Sequence, residues 1–186
     1  LGLSEQAIFK NTKRTTTKIR VIGNHQHLLR VDKEDCFATD PATLSEMYNR
    51  LLPLLDTMQA VIFEDYDKGL LQEDWIQKLK LACRERNLPV LVDPKKKNFF
   101  AYTGATVFKP NLKELSEGLG RSVAKTPESV NSAIESLQAK MPHQATLVTL
   151  SEAGVCGREG NQFFHLPAHY RQIVDVSGAG DTVISV

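Results

Sequence analysis

Cysteine is scarce: three residues in 186, Cys36, Cys83 and Cys156, stand far apart and form no C-x-x-C pair. That excludes a disulfide framework or a zinc-binding cysteine set and fits a reducing compartment, so a cytoplasmic protein is expected. Charge of one sign is lacking too. With 23 basic against 22 acidic side chains the formal net charge is +1, which gives no grip on nucleic acid or on an anionic membrane. No apolar run approaches the roughly 20 residues of a spanning helix, and LGLSEQAIFKNTKRTTTK lacks the order of a signal peptide. His25, His27, His143, His165 and His169 show no H-E-x-x-H or other metal spacing. There is no G-x-x-x-x-G-K-[ST] loop and no complete dinucleotide fingerprint. Ser151 lies in T-L-S-E-A-G rather than in the G-x-S-x-G of a hydrolase elbow. The length suits one well-buried domain. A start without Met and an end inside an apparent helix lead us to expect an incomplete copy of a longer chain.

What is present is alternation. Leu44, Met47, Tyr48, Leu51, Leu52 and Leu55 follow helical spacing behind Asp40-Pro41. Trp75, Ile76, Leu79, Ala82 and Cys83 repeat it, as do Val130, Ala133, Ile134, Leu137 and Met141 behind Thr126-Pro127. Between and after these helices, 58–63, 88–92, 105–109 and 145–150 are short apolar runs of the kind that form buried strands. This pattern predicts an α/β fold with a mostly parallel central sheet flanked by helices. Residues 154–166 read as a hairpin turning near Gly157 and Gly160-Asn161, 118–127 as a loop, and Lys95 to Lys97 as a solvated turn. At the front, 15–23 and 27–32 read as a two-stranded ribbon, which must pack on something because a lone hairpin is marginal in water. The segments divide the chain into a ribbon over 13–34 and a core over 35–186.

Each strand candidate ends in a polar stretch: IFEDYDKG, LVDPKKK, FKPNLKE and TLSEAG. In a parallel sheet those ends share one edge, where ligands bind. VDVSGAGDTVISV, 174–186, fits there. Gly178 and Gly180 free the backbone amides to approach an anion at a helix start, beside Asp181, a carboxylate able to accept a proton from an attacking hydroxyl. The competing reading is a glycine turn with Asp181 as a helix cap. Asn111-Leu112-Lys113-Glu114 is equally double: a capping pattern, or a pair that reaches phosphate and water around Mg²⁺. Lys18 and Arg20 share a ribbon face that Arg30 joins across the hairpin, either as a solvated face or as a receiver of an anionic group.

Together these segments resemble the ribokinase-like (PfkB) carbohydrate kinases. D-V-S-G-A-G-D-T-V is similar to their C-terminal signature, N-L-K-E to their N-x-x-E motif, and V-T-L-S-E-A-G-V to their nucleotide-contacting strand and turn. T-T-x-K-x-R-V-I, Q-x-L-L-R-V-D, D-Y-x-K-G, V-D-P-K and K-P-N-L-K-E resemble, in order, the heptose 7-phosphate kinases of ADP-heptose synthesis, which serves lipopolysaccharide. The resemblance covers roughly 13–186. It implies ATP-dependent phosphorylation of a sugar phosphate, with Asp181 as base and the amides of Gly178, Ala179 and Gly180 as an anion hole. It further implies Asn111 and Glu114 at the ATP phosphates and Mg²⁺, with Thr149, Ser151 and Gly154 along the nucleotide. Asp175 and Ser177 would hold a monovalent cation such as K⁺. The ribbon becomes a lid, with Lys18, Arg20 and Arg30 as sugar contacts, and its uncovered edge invites a homodimer. Two departures bear on the sugar: Asn24-His25-Gln26-His27 stands where Arg-Asn-Gln-Gln is expected, and Ser151 replaces a commoner glycine. The alternatives are a family kinase for fructose phosphate, ribose or a nucleoside, and a nucleotide-binding regulatory domain without turnover.

Overall fold

Thr17, Ile19 and Val21, alternating with Lys18 and Arg20, draw Thr17–Gly23 (β1) into an antiparallel ribbon with Gln26–Lys33 (β2). The structure is a computed structural model, which describes residues 5–6, 8–10, 12–23, 26–168 and 179–185. In the ribbon Ile19 pairs with Val31 and Val21 with Leu29, while Lys18 pairs with Asp32 and Arg20 with Arg30. Side chains alternate across a strand, so one ribbon face is apolar and the other charged. A register shift after Val21 ends the alternation.

The core begins with α1, Pro41–Leu55, where the Asp40 carboxylate accepts from Thr43 N at 2.9 Å and Pro41 fills the first turn. Then follow β3 (Val61–Glu64), α2 (Glu73–Glu85), β4 (Val90–Asp93), a 3₁₀ segment (Lys96–Tyr102) and β5 (Val107–Phe108). The chain continues through α3 (Leu112–Leu119), α4 (Pro127–Lys140), β6 (Ala145–Thr149), β7 (Val155–Glu159) and β8 (Gln162–Leu166) to α5 (Ala179–Ser185). The sheet runs in sequence order from β3 to β8. β3 to β6 are parallel and β7 and β8 antiparallel, so the sheet is mixed. Gly154, at φ +91°, makes the reversal after β6: a Cβ there would lie 2.0 Å from Leu166 O, so only glycine fits.

The apolar stripes of α2 and α4 are buried at every predicted position. On α1 only Leu44, Met47 and Leu55 are buried, while Tyr48, Leu51 and Leu52 pack at the margin. The strands start two or three residues later than the apolar runs suggest, except β6. Met58, for instance, is exposed in the turn after α1. β5 is cut to two residues, and the pairing stops after Lys109 N–Val92 O, because Pro110 has no N–H to donate to a ladder. The expected solvated turn at Lys95 to Lys97 needs correction. Lys96 and Lys97 are exposed, but Lys95 ion-pairs with Glu114 at 2.5 Å, because the following 3₁₀ turn buries Asn98, Phe99 and Tyr102 and pulls the segment inward. Among the described residues no helix is long and apolar enough to cross a membrane.

Phe108 sits at the centre, fully buried, edge-on to Phe99 at 5.0 Å between ring centroids. Phe108→Ala leaves a cavity the rigid sheet cannot close, and a loss of about 3–5 kcal/mol is expected. A urea titration with an unchanged slope would show it as a lower midpoint; a midpoint equal to that of the parent chain would contradict this packing.

Candidate active site at the carboxyl edge of the sheet

The parallel strands deliver their last residues to one edge. β3 ends in Glu64, β4 in Asp93, and Lys109 follows β5 directly. Lys109 is 3% exposed and ion-pairs with Asp93 at 2.8 Å. α5 packs on this edge, against β3 and β4, and is anchored by the buried Ile184. Its first turn lies over the ammonium: a Cβ on Gly180 would be 3.7 Å from Lys109 Nζ. Asp181 thereby meets Glu64 and Asp93, one oxygen of each lying within 4.8 Å of the others. Tyr66, on the turn after β3, donates its hydroxyl to Asp181 Oδ2 at 2.9 Å.

Carboxylates this close disfavour one another's ionisation. The Glu64 pKa is raised, first by burial and then by Asp181 and Asp93, with Lys109 opposing. Burial, the hydrogen bond to Asp181 and the neighbouring negative charges push the Tyr66 phenol up to about 12. Asp65 has a different fate. Buried on the other side of the strand, it accepts from Asp67 N at 2.7 Å, Asn98 Nδ2 at 3.1 Å and Tyr102 OH at 3.0 Å, and so it braces the turn rather than facing a ligand.

Asn111 caps α3. Its Oδ1 accepts from Glu114 N, and Glu114 Oε2 accepts from Asn111 N, both at 2.9 Å. The capping pattern is therefore realised, and Glu114 Oε1 is left to take Lys95. Burial pulls the Lys95 ammonium down, but the hydrogen bond and charge of Glu114 outweigh it and leave the pKa raised. Asn111 bridges to Thr149 in parallel, and with Ser151 these residues line an open cleft of about 560 Å³. Gly154 is not in the cleft lining, and its glycine is explained by the reversal. On the ribbon, Lys18 joins Glu64, Tyr66 and Lys68 around a second cavity of about 380 Å³. Arg30 makes a double hydrogen bond with Asp32 at 2.8 Å, and neither Arg20 nor Arg30 lines that cavity. Gly178, Asp175 and Ser177 lie outside the described residues.

A family model described as pfkB family carbohydrate kinase matches residues 4–186. The chain belongs to that family. Among curated relatives, Bifunctional protein HldE of Pseudomonas paraeruginosa is 44% identical over 172 residues, 92% of this chain and 35% of that protein. Bifunctional protein HldE of Pseudomonas syringae pv. syringae is 43% identical over 173 residues, again 92% and 35%. The chain thus spans 35% of the length of these relatives. Among solved structures, the tetrameric inhibited form of phosphofructokinase-2 from Escherichia coli superposes with a TM-score of 0.72 at 15% identity, covering 94% of this chain and 57% of that one. Ribokinase from Giardia lamblia gives 0.72 at 17%, covering 94% and 54%. Likeness at such identity shows the fold, which is ribokinase-like.

Within this PfkB chain the sequence reading named Asp181, Asn111 and Lys18 but missed Glu64, Tyr66, Asp93, Lys95 and Lys109. The signal was there. Glu64 and Asp93 are the last residues of successive buried strands, where a parallel sheet sends side chains to the ligand edge.

The raised Glu64 pKa has a consequence for stability. Its favoured protonated form contributes fully below the unfolded value, and that contribution is lost as pH rises through the folded one. Glu64→Gln removes the loss, so its thermal midpoint should exceed the parent's at about pH 7 and match it at about pH 4. A variant destabilised equally at both would contradict the crowding of charge.

Proposed function

We propose that this chain carries the phosphoryl-transfer core of an ATP-dependent sugar kinase that converts heptose 7-phosphate to heptose 1,7-bisphosphate. The observation that carries the reading is the meeting of Asp181 with Glu64, Asp93–Lys109 and Tyr66 at the edge where the Asn111–Thr149–Ser151 cleft also opens. Membership in the pfkB family and the likeness to Bifunctional protein HldE support it.

In this mechanism Asp181 takes the proton of the acceptor hydroxyl, the sugar oxygen bonds to the γ-phosphorus, and the bond to the β-bridging oxygen breaks to release ADP. Lys109, under the first turn of α5, offsets the charge that gathers there. The amides of Gly178, Ala179 and Gly180 receive the transferring group. The nucleotide lies along Asn111, Thr149 and Ser151, with the acceptor in the Lys18-lined cavity, under the ribbon as a lid. Hard carboxylate oxygens fit Mg²⁺, and Glu64 Oε1 is a buried atom with no hydrogen-bond partner among the described residues. Asn111 and Glu114 would hold the metal through water, because Asn111 Oδ1 and both Glu114 oxygens are already engaged. Bound there, the ion would neutralise the phosphates. Asp175 and Ser177 are the positions proposed for K⁺. Cytoplasmic placement belongs to the same proposal, since ATP is the donor. So does a homodimer, because Ile19, Val21, Leu29 and Val31 offer an exposed apolar strip on the outer ribbon face.

In the full-length protein, Asp181→Asn should lower kcat by about a thousandfold with ATP affinity unchanged, followed by ADP release with heptose 7-phosphate as acceptor. Full turnover by that variant removes Asp181 from the chemistry, and equal turnover of ribose, fructose phosphate or a nucleoside moves the acceptor elsewhere in the family. Glu114→Gln separates cap from ligand, since glutamine keeps the capping box but not the charge. Its stability should fall by about 1–3 kcal/mol, the cost of the lost Lys95 ion pair, while KM for MgATP rises about tenfold. An unchanged KM would leave Glu114 a cap alone.

A further inference from the structure

Tyr66 is an unusual residue for its place, a large aromatic that remains half exposed on a turn. Its backbone, by contrast, is held on both sides. Asp65 N donates to Asp93 O at 3.0 Å, and the Asp65 carboxylate is saturated by three donors. Three residues on, Gly69 has φ +78°, and a Cβ there would lie 2.1 Å from Phe37 O. A turn clamped in this way presents the phenol at a fixed point, and the hydroxyl at that point meets Asp181 Oδ2 at 2.9 Å.

Asp181 needs such a hold. It belongs to a seven-residue helix and faces Glu64, which is in hydrogen-bonding contact with it, and Asp93, whose charge disfavours its own, while the nearby cation Lys109 is already engaged with Asp93. Free rotation would carry the carboxylate outward, away from like charge. The phenol holds its proton up to about pH 12, so it acts as a donor throughout the working range.

We propose that Tyr66 is a positioning residue for the catalytic base: by donating to Oδ2 it fixes the rotation of Asp181 and leaves Oδ1 for the acceptor hydroxyl. The inference rests on the kinase reading of Asp181. It predicts that the phenol oxygen acts on the rate of proton acceptance and not on the binding of either substrate.

Tyr66→Phe in the full-length protein removes one oxygen and keeps the ring. With ATP and heptose 7-phosphate, kcat should fall about tenfold or more, the loss expected for a hydrogen bond to a charged group. KM for both substrates should stay within about twofold, and the thermal midpoint should fall by no more than about 5 °C, the share of one hydrogen bond. An unchanged kcat overturns the inference, and so does a rise in either KM with kcat intact, which would make Tyr66 a substrate contact. Asp181→Asn, assayed alongside, keeps the two ideas apart. Loss of turnover in Asp181→Asn with full turnover in Tyr66→Phe sinks the positioning role and leaves the kinase reading standing. Full turnover in Asp181→Asn sinks both.

Discussion

The Asp93–Lys109 pair is the contact on which the ligand edge depends. A charge as buried as that of Lys109 persists only if paired, and removing one partner of such a pair costs about 3–5 kcal/mol because the other is left uncompensated. The two residues come from neighbouring strands, one ending β4 and the other following β5, so the pair forms only in the observed register, Leu91 with Val107 and Val92 with Phe108. Sheet pairing therefore sets the geometry of the charge, and the charge sets what can lie above it. The first turn of α5 rests there with a glycine over the ammonium, and Asp181 reaches the same edge one residue later.

Adjacent residues on one strand end show how little sequence distance separates bracing from chemistry. Glu64 and Asp65 point to opposite faces, as successive strand residues must. Asp65 meets Asn98 and Tyr102, whose donors saturate it, and burial together with that carboxylate keeps the Tyr102 phenol firmly protonated. Glu64 meets Asp93 and Asp181 instead, and its charge is disfavoured. Two carboxylates of nearly identical intrinsic acidity thus divide into a structural anchor and a crowded site group through the pleat alone.

Much of the fold could be read from the residues because it depends on period. The stripes of α2 and α4, the caps at Asp40 and Thr126 and the hairpin after Gly154 are local patterns with local causes. Lys95 was misread because nothing local distinguishes it from Lys96 and Lys97. Its partner, Glu114, is brought near by the burial of Asn98, Phe99 and Tyr102. Lys109 and Tyr66 escaped notice for the same reason, each taking its meaning from a residue far along the chain: Asp93 in one case, Asp181 in the other. Arg30 shows the converse. Its place on the charged ribbon face was legible, but Asp32, two residues away on the same face, holds its guanidinium by a double hydrogen bond. Asp175, Ser177 and Gly178 lie outside the described residues.

The charges at this edge also constrain what can bind there. Glu64, Asp93, Glu114 and Asp181 set four carboxylates against the two ammoniums of Lys95 and Lys109. Both lysines are already matched one to one, so the surplus negative charge belongs to Glu64 and Asp181. A nucleotide triphosphate brought to such an edge meets repulsion unless further positive charge arrives with it, as a divalent ion on the phosphates or from the Lys18 side of the ribbon. That requirement gives the capping glutamate a second use. Its carboxylate closes the helix end and fixes Lys95, which also feels the charges of Asp93 and Asp65, and this placement holds only while both of its oxygens are occupied. The capping and ligand readings of Asn-x-x-Glu are therefore compatible: the cap holds rigid the charge that the proposed phosphate contact would use.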